Sequence, residues 1–299
     1  MYPLNHLSLI RFSGQDCRQF LQGQLSNDLT ALTGSRSLLA SCNSAQGRVQ
    51  AVLHLFELDG AILGLLPRSM VSQLATRLRK YVLRAKVTIE DASDLMRIDW
   101  VSRDELKGLN APIPESLGEY AQHQGCVIVR WPDPMSERFV LIQSGTAPTS
   151  DAETERRWQL AEIQAGLPQV VPETHEEFVA QMLNLDILGG ISFNKGCYTG
   201  QEIIARAHFR GAVKRRMFRY RAQCEAPAPG SKILAHGETA GEVVISAQDG
   251  KDCELLAVVS LSHAQDLLTL AHAGTTLHAM PLPYTCLLYT SPSPRDQRG

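Results

Sequence analysis

Eight consecutive residues, Lys195-Gly196-Cys197-Tyr198-Thr199-Gly200-Gln201-Glu202, restrict the fold of this chain more than any other stretch. Thr199 followed by Glu202 three positions on has the spacing of a capping box, so a helix is expected to open here and run through Ile203, Ile204, Ala205 and Arg206. Cys197 then stands just outside a helix N-terminus. Unpaired N–H groups and the positive end of the helix dipole favour a thiolate there, and Lys195 adds a positive charge two residues away. On the same reading Glu202 holds the cap, Tyr198 and Arg206 order the loop, and Gly196 and Gly200 permit a tight turn. Set against this, an inert buried thiol is the commoner state of a single loop cysteine, and a capping box is a frequent motif.

With 299 residues the chain exceeds one typical domain, and about two or three compact units are expected. A net charge of -2 gives no general reason to expect nucleic acid or an anionic membrane as partner. No apolar run reaches the ~20 residues needed to span a bilayer, and the N-terminus lacks a basic segment followed by an apolar core. A cytoplasmic protein is therefore expected. Its seven cysteines are scattered and contain no Cys-x-x-Cys pair, which argues against a disulfide framework, and against a metal or cluster held by this chain alone.

Strands and helices alternate irregularly through the first half, as in an α+β fold. Ser13 with Asp16 is expected to open a helix through Leu21, and Ser69 to cap one bearing Val71, Leu74, Leu78 and Tyr81 at helical spacing. Asp59-Gly60 predicts a tight hairpin between Val49–Leu58 and Ala61–Leu66. A further helix is expected from Ala152 to Ala165, stopped by Gly166, and another after a third box of Thr174 and Glu177. From Met217 the pattern changes to short strands separated by Pro and Gly turns, a small β-barrel. Ahead of it lies the most basic run of the chain, Arg206, Arg210, Lys214, Arg215, Arg216, Arg219 and Arg221, with no acid between Ile203 and Arg221. Interleaved Phe209, Phe218 and Tyr220 would suit a weak RNA contact, while a solvated strand and loop explains the same charges more simply.

As a string, Lys195–Glu202 resembles the signature of the YgfZ family, folate-binding relatives of the glycine cleavage T-protein (aminomethyltransferase). The flanks agree: Gln181-Met182-Leu183-Asn184-Leu185 and Gly189-Gly190-Ile191-Ser192-Phe193 before it, Arg206 and Phe209-Arg210-Gly211 after it, and the turn Gly23-Gln24-Leu25-Ser26-Asn27-Asp28 far upstream. The resemblance implies a three-domain, cloverleaf-like T-protein fold. Residues 1–42 and 145–212 would form a discontinuous folate-binding core, 43–144 an α+β domain, and 213–284 the C-terminal barrel. Residues 285–299 read as a non-native, disordered tail.

For function, the resemblance implies a tetrahydrofolate-dependent accessory protein that supports iron–sulfur cluster assembly or repair in client enzymes, tRNA-modifying ones among them. Trp158 would line the folate pocket, where the indole of an amphipathic helix is otherwise core. Two positions depart from the pattern: Leu7 replaces a second tryptophan, and Gln164 replaces the acid that T-proteins place before Ala-Gly. A third departure separates two activities. T-proteins carry a catalytic aspartate after a Gly-rich turn on a strand, and Gly47-Arg48-Val49-Gln50-Ala51 offers no acid there. A one-carbon transferase of the T-protein type, or an RNA-binding module, is the alternative.

Overall fold

The computed structural model describes residues 1–146, 148–209 and 213–286. The chain opens with β1 (Tyr2–Pro3), β2 (Leu7–Ser13) and α1 (Cys17–Gln22), followed by β3 (Leu38–Asn43), β4 (Val49–Leu58), β5 (Ala61–Pro67) and α2 (Arg68–Val82). Next come β6 (Thr88–Asp91), β7 (Met96–Val101), α3 (Arg103–Gly108), β8 (Tyr120–His123), β9 (Cys126–Arg130) and β10 (Phe139–Ser144). Helices α4 (Ala152–Ala165) and α5 (Gln201–Phe209) bracket a long run of turns. The last strands are β11 (Arg215–Ala222), β12 (Lys232–Ala235), β13 (Glu238–Asp249), β14 (Asp252–Ser260), β15 (Leu268–Leu270) and β16 (Thr276–Met280).

These strands make two open sheets, ordered β3-β4-β5-β2-β6 and β1-β7-β10-β9-β8, and a closed barrel, β11-β14-β13-β12-β15-β16. The first sheet is covered on both faces, which is why β5 is apolar at every position instead of alternating. Ile10, Phe12, Ile62 and Leu66 pack under the Met70, Val71, Leu74 and Leu78 face of α2. Their neighbours Leu7, Leu9, Leu63 and Leu65 pack against Val127, Val129, Val140 and Ile142 of the second sheet. The barrel has its own interior around Val243, Leu255, Val259 and Leu270, while its outer residues Met217, Val244 and Leu256 join the first core.

Several local expectations hold. Asp59 and Gly60 turn β4 into β5 with φ of 48° and 75°, both left-handed as a two-residue hairpin of this kind requires. Helix α4 has the expected bounds and ends on left-handed Gly166 at φ 68°. That glycine is enforced from outside as well, because a Cβ there would lie 2.7 Å from the Tyr284 hydroxyl.

Others are corrected. The boundary expected at 42/43 falls between β3 and β4, which are hydrogen-bonded neighbours in one sheet. Residues up to Asp91 therefore belong with β2, and β7 to β10 form the second sheet. Helix α1 begins at Cys17 without a side-chain cap, because the Asp16 carboxylate accepts from the backbone N–H of Lys86. Helix α2 begins at Arg68 behind Pro67, ahead of the expected Ser69 cap. Thr174 and Glu177 open no α-helix; a short 3-10 segment at Pro172–Thr174 leads into turns. Of the residues expected to form a disordered tail, Thr285 and Cys286 are described, with Cys286 half-buried beside Asn184, and the remainder lie outside the described residues.

Candidate functional site: a cysteine loop on a lysine cradle

The signature loop is held from inside by Lys195. Its ammonium, 8% exposed, donates to the carbonyls of Gln22, Leu25 and Asn27 at 2.7, 2.8 and 2.7 Å. Three donors meet three acceptors, so the group is saturated. Burial lowers its pKa to about 8, with the charge of Asp28 pulling the other way. The ammonium also lies 5.1 Å from the centre of the Tyr198 ring, which is buried beneath it. Lys195 therefore points into the body of the protein and anchors the loop. The sequence expectation that it serves the thiol directly is corrected by this geometry.

The receiving turn is the Gly23–Asp28 segment. It is a docking rail for the loop. Thr199 N–H donates to the Gly23 carbonyl at 3.2 Å, Ser192 N–H to Ser26 at 3.0 Å, and the Asn27 amide to Gly189 at 2.7 Å. Ser26 Oγ donates to Gly190 at 2.6 Å and receives Ser41 N–H at 2.8 Å, which ties both segments to β3.

Helix α5 starts at Gln201, one residue later than the expected box implies. Gly200 supplies the turn at φ 84°, the Gln201 N–H donates to the Tyr198 carbonyl, and Ile204 N–H to Gly200. Thr199 caps through no side-chain bond among the described residues, and Glu202 is exposed. The glycine is demanded by packing: a Cβ on Gly200 would stand 2.5 Å from the Ser44 carbonyl and 3.0 Å from Gly47 Cα. Gly47, also left-handed at φ 71°, would meet Ile203 Cβ at 2.9 Å. Two glycines from distant parts of the chain thus let two turns touch. Sequence reasoning noted Gly47 only for the acid missing beside it. Further support comes from Gln181, whose amide donates to the Ile204 carbonyl, and from Asn184, whose amide donates to Met217 on the barrel at 2.8 Å.

What the loop leaves outside is Gly196 and Cys197, both exposed, with Arg206 exposed farther along α5. Cys197 is the only exposed thiol among the described cysteines; Cys17, Cys42 and Cys253 are buried, and burial pushes the first two up to about 11. Among the described residues no group of three His, Cys, Asp or Glu side chains is arranged to hold a metal ion.

The residues expected at a folate pocket sit elsewhere. Trp158 is 0% exposed and Leu7 1%, both in the core between the two sheets. The Arg138 guanidinium covers the Trp158 ring at 4.4 Å, and Trp131 and Trp100 pack at 5.3 and 6.0 Å. Arg138 in turn pairs with Asp133 at 2.7 Å and with Glu162 at 2.8 Å, and Glu162 also accepts from Trp131 Nε1 at 2.6 Å. Burial raises the Glu162 pKa, against the opposing pull of Arg138. No face of the Trp158 indole is open to stack on a pterin. Gln164 is half-buried at the seam between α4 and β14 and donates to Glu254 at 3.3 Å. Direct stacking of a pterin on Trp158 or against Leu7 does not fit their burial.

Three of the seven residues of the basic run are paired with acids. Arg216 is buried against Asp186, Arg219 against Glu254, and Arg221 pairs with Asp252 and Asp249. Lys214, Arg215 and Arg206 are exposed, and Arg210 lies outside the described residues. At the position where a T-protein acid was sought, Gln50 is 7% exposed and its amide donates to Glu176, a residue held at φ 61° whose N–H bonds the Val49 carbonyl. A carboxylate thus adjoins this strand from another segment, which no local motif could have revealed.

Two packed sheets, a sealed barrel and the loop between them define a protein of the glycine cleavage T-protein fold. The aminomethyltransferase T of the glycine cleavage system from Bartonella henselae superposes with a TM-score of 0.75 over 95% of this chain and 85% of that one, at 13% identity. No family model matches the chain. In sequence it is 31% identical over 306 aligned positions to the tRNA-modifying protein YgfZ of Klebsiella pneumoniae (strain 342), covering 95% of this chain and 93% of that protein. The chain belongs to the YgfZ family.

Proposed function

We propose that this protein is a tetrahydrofolate-binding accessory factor of the cytoplasm that supports iron–sulfur cluster assembly or repair in client enzymes, including tRNA-modifying ones, with Cys197 as its working thiol. The observation that carries the reading is the contrast within the signature loop: Lys195 and Tyr198 are buried as anchors while Cys197 is presented to solvent. A thiol so held can meet a thiol, a disulfide or a cluster on a partner without any rearrangement of the core. The name of the K. pneumoniae relative supports the tRNA-modifying side of the reading. Folate, when bound, would supply a one-carbon carrier, and Gln164 with Glu254 at the α4–β14 seam offers the polar edge that could hold its pterin. Calorimetric titration of the full chain with tetrahydrofolate tests the ligand. Saturable binding that Gln164→Leu weakens about tenfold is expected, and absence of binding would overturn the folate part.

A second reading, a folate-dependent aminomethyl or one-carbon transferase, is favoured by one observation only, the Glu176 carboxylate bonded to Gln50. Methylene-tetrahydrofolate formation from an aminomethyl donor, abolished by Glu176→Gln, would establish it.

A further inference from the structure

Two thiols meet in the C-terminal barrel, away from the signature loop. Cys253 stands on β14 between Ala222 of β11 and Gln248 of β13, buried among the barrel's interior residues. Cys224 lies just past the end of β11, half-buried, and its Sγ is 3.6 Å from the Cys253 Sγ. Among the described residues this is the one contact between two cysteines, and both are free thiols. A disulfide brings its sulfurs to about 2 Å, so a small shift closes the pair. Cys253 is fixed by strand pairing on both sides, whereas Cys224 sits in a bend outside the ladder. Gln248 clips that bend to the β13–β14 hairpin: its amide donates to the carbonyls of Cys224 at 3.2 Å and Asp252 at 2.8 Å, and its Oε1 accepts from Ala226 N–H at 2.8 Å. The Gln248 carbonyl in turn accepts from Arg156 of α4, so the pair sits behind the join of barrel and helix. Burial, and after it the Cys224 thiol, raise the pKa of Cys253, which therefore rests protonated. Cys224 is the half-exposed member that an oxidant meets first.

We propose that Cys224 and Cys253 form an oxidation site, a dithiol that a peroxide converts to a disulfide stapling the bend after β11 onto β14. The Cys224 sulfur attacks one peroxide oxygen and the O–O bond breaks, leaving a sulfenic acid on Cys224; the departing hydroxide takes up the thiol proton as water. The Cys253 sulfur then attacks the Cys224 sulfur, the S–O bond breaks, and hydroxide leaves with the Cys253 proton as a second water. Two electrons pass from the two sulfurs to the peroxide, and a dithiol reductant returns them. In a reducing compartment the pair rests as two thiols and the disulfide forms only under oxidant. None of this depends on the role of Cys197 or on a bound folate.

The full chain is treated with hydrogen peroxide, blocked with N-ethylmaleimide, digested without reduction and mapped by mass spectrometry. A peptide linking Cys224 to Cys253, lighter by two hydrogens than its separate parts and lost on adding dithiothreitol, is expected. It should form equally in Cys197→Ser, which separates this pair from the exposed loop thiol. Cys253 lies 29 residues beyond Cys224, and closing a loop of that length should raise the melting temperature by about 5 °C. Cys224→Ser, a change at a half-buried bend, should abolish both the linked peptide and the rise. In Cys253→Ser the sulfenic acid on Cys224 should persist and be trapped by dimedone. Sulfinic or sulfonic acid on Cys224 with Cys253 left as a thiol, pairing of either residue with another cysteine, or no reaction at both would overturn the proposal. A linked peptide with an unchanged melting temperature would overturn the staple.

Discussion

The signature loop and the Trp158 helix are the two regions that the sequence marks for function, and the fold treats them in opposite ways. In the loop, an ammonium is buried so that a thiol is left outside. Around the helix, the aromatic ring and the charges that face it are all buried: Trp158, Arg138, Glu162 and Asp133 are each at most 1% exposed. Charges inside the helix region are paired with one another, whereas the charge beneath the loop is satisfied by backbone carbonyls of a segment far away in sequence. The first arrangement builds a rigid core between two sheets. The second makes a handle by which one segment positions another, and only the second presents a reactive group.

The comparison breaks first at Arg138. Arg138→Met removes the cation that bridges Asp133 and Glu162 and should cost about 4 kcal/mol of unfolding free energy, since two buried carboxylates lose their partner. Equilibrium denaturation measures it. Lys195→Met should cost less, about 3 kcal/mol, because three carbonyls lose a donor but no opposite charge is stranded. It should also raise proteolytic cleavage around Gly196 with the barrel still folded. Equal costs for the two variants would erase the distinction between core and handle.

Acid should find the helix region before the loop. His54 packs 4.3 Å from Trp131, and burial lowers its pKa to about 4. Between that value and the unfolded value of about 6.5, the unfolded chain binds the extra proton, so stability rises with pH across this window. As pH falls from about 6.5 through 4, about 3 kcal/mol should be lost, and His54→Gln should flatten that part of the profile. The smallest effect belongs to Cys197→Ser, whose exposed side chain should change stability by no more than about 0.5 kcal/mol.

Local signals in the sequence carried most of the element list. The Asp59-Gly60 hairpin, α4 with its Gly166 stop and the strands of the barrel follow from turn chemistry and periodicity, which act within a few residues. Capping boxes at Ser13 and Thr174 were misleading because tertiary partners decide them: Asp16 serves Lys86, and Thr174 ends a 3-10 turn. The domain boundary at 42/43 was misplaced because sheet membership is set by pairing across the chain, which β3 and β4 satisfy together. At the site, the eight-residue string and its turn into a helix were legible, while the exposure of Cys197 was not. The cradle was not, because it consists of main-chain carbonyls at Gln22, Leu25 and Asn27, groups that every residue carries and no motif records. Trp158 was misjudged for a related reason: its ring is covered by Arg138, a cation twenty residues upstream, just ahead of β10.

The central claim is that the loop exists to present one thiol. Cys197→Ala and the parent chain should be expressed in cells lacking their own copy, and the activity of an iron–sulfur tRNA-modifying enzyme measured beside the melting temperature of each purified protein. Loss of that activity with an unchanged melting temperature is the expected result. Full support of the enzyme by Cys197→Ala would contradict the account and leave the loop as a structural joint.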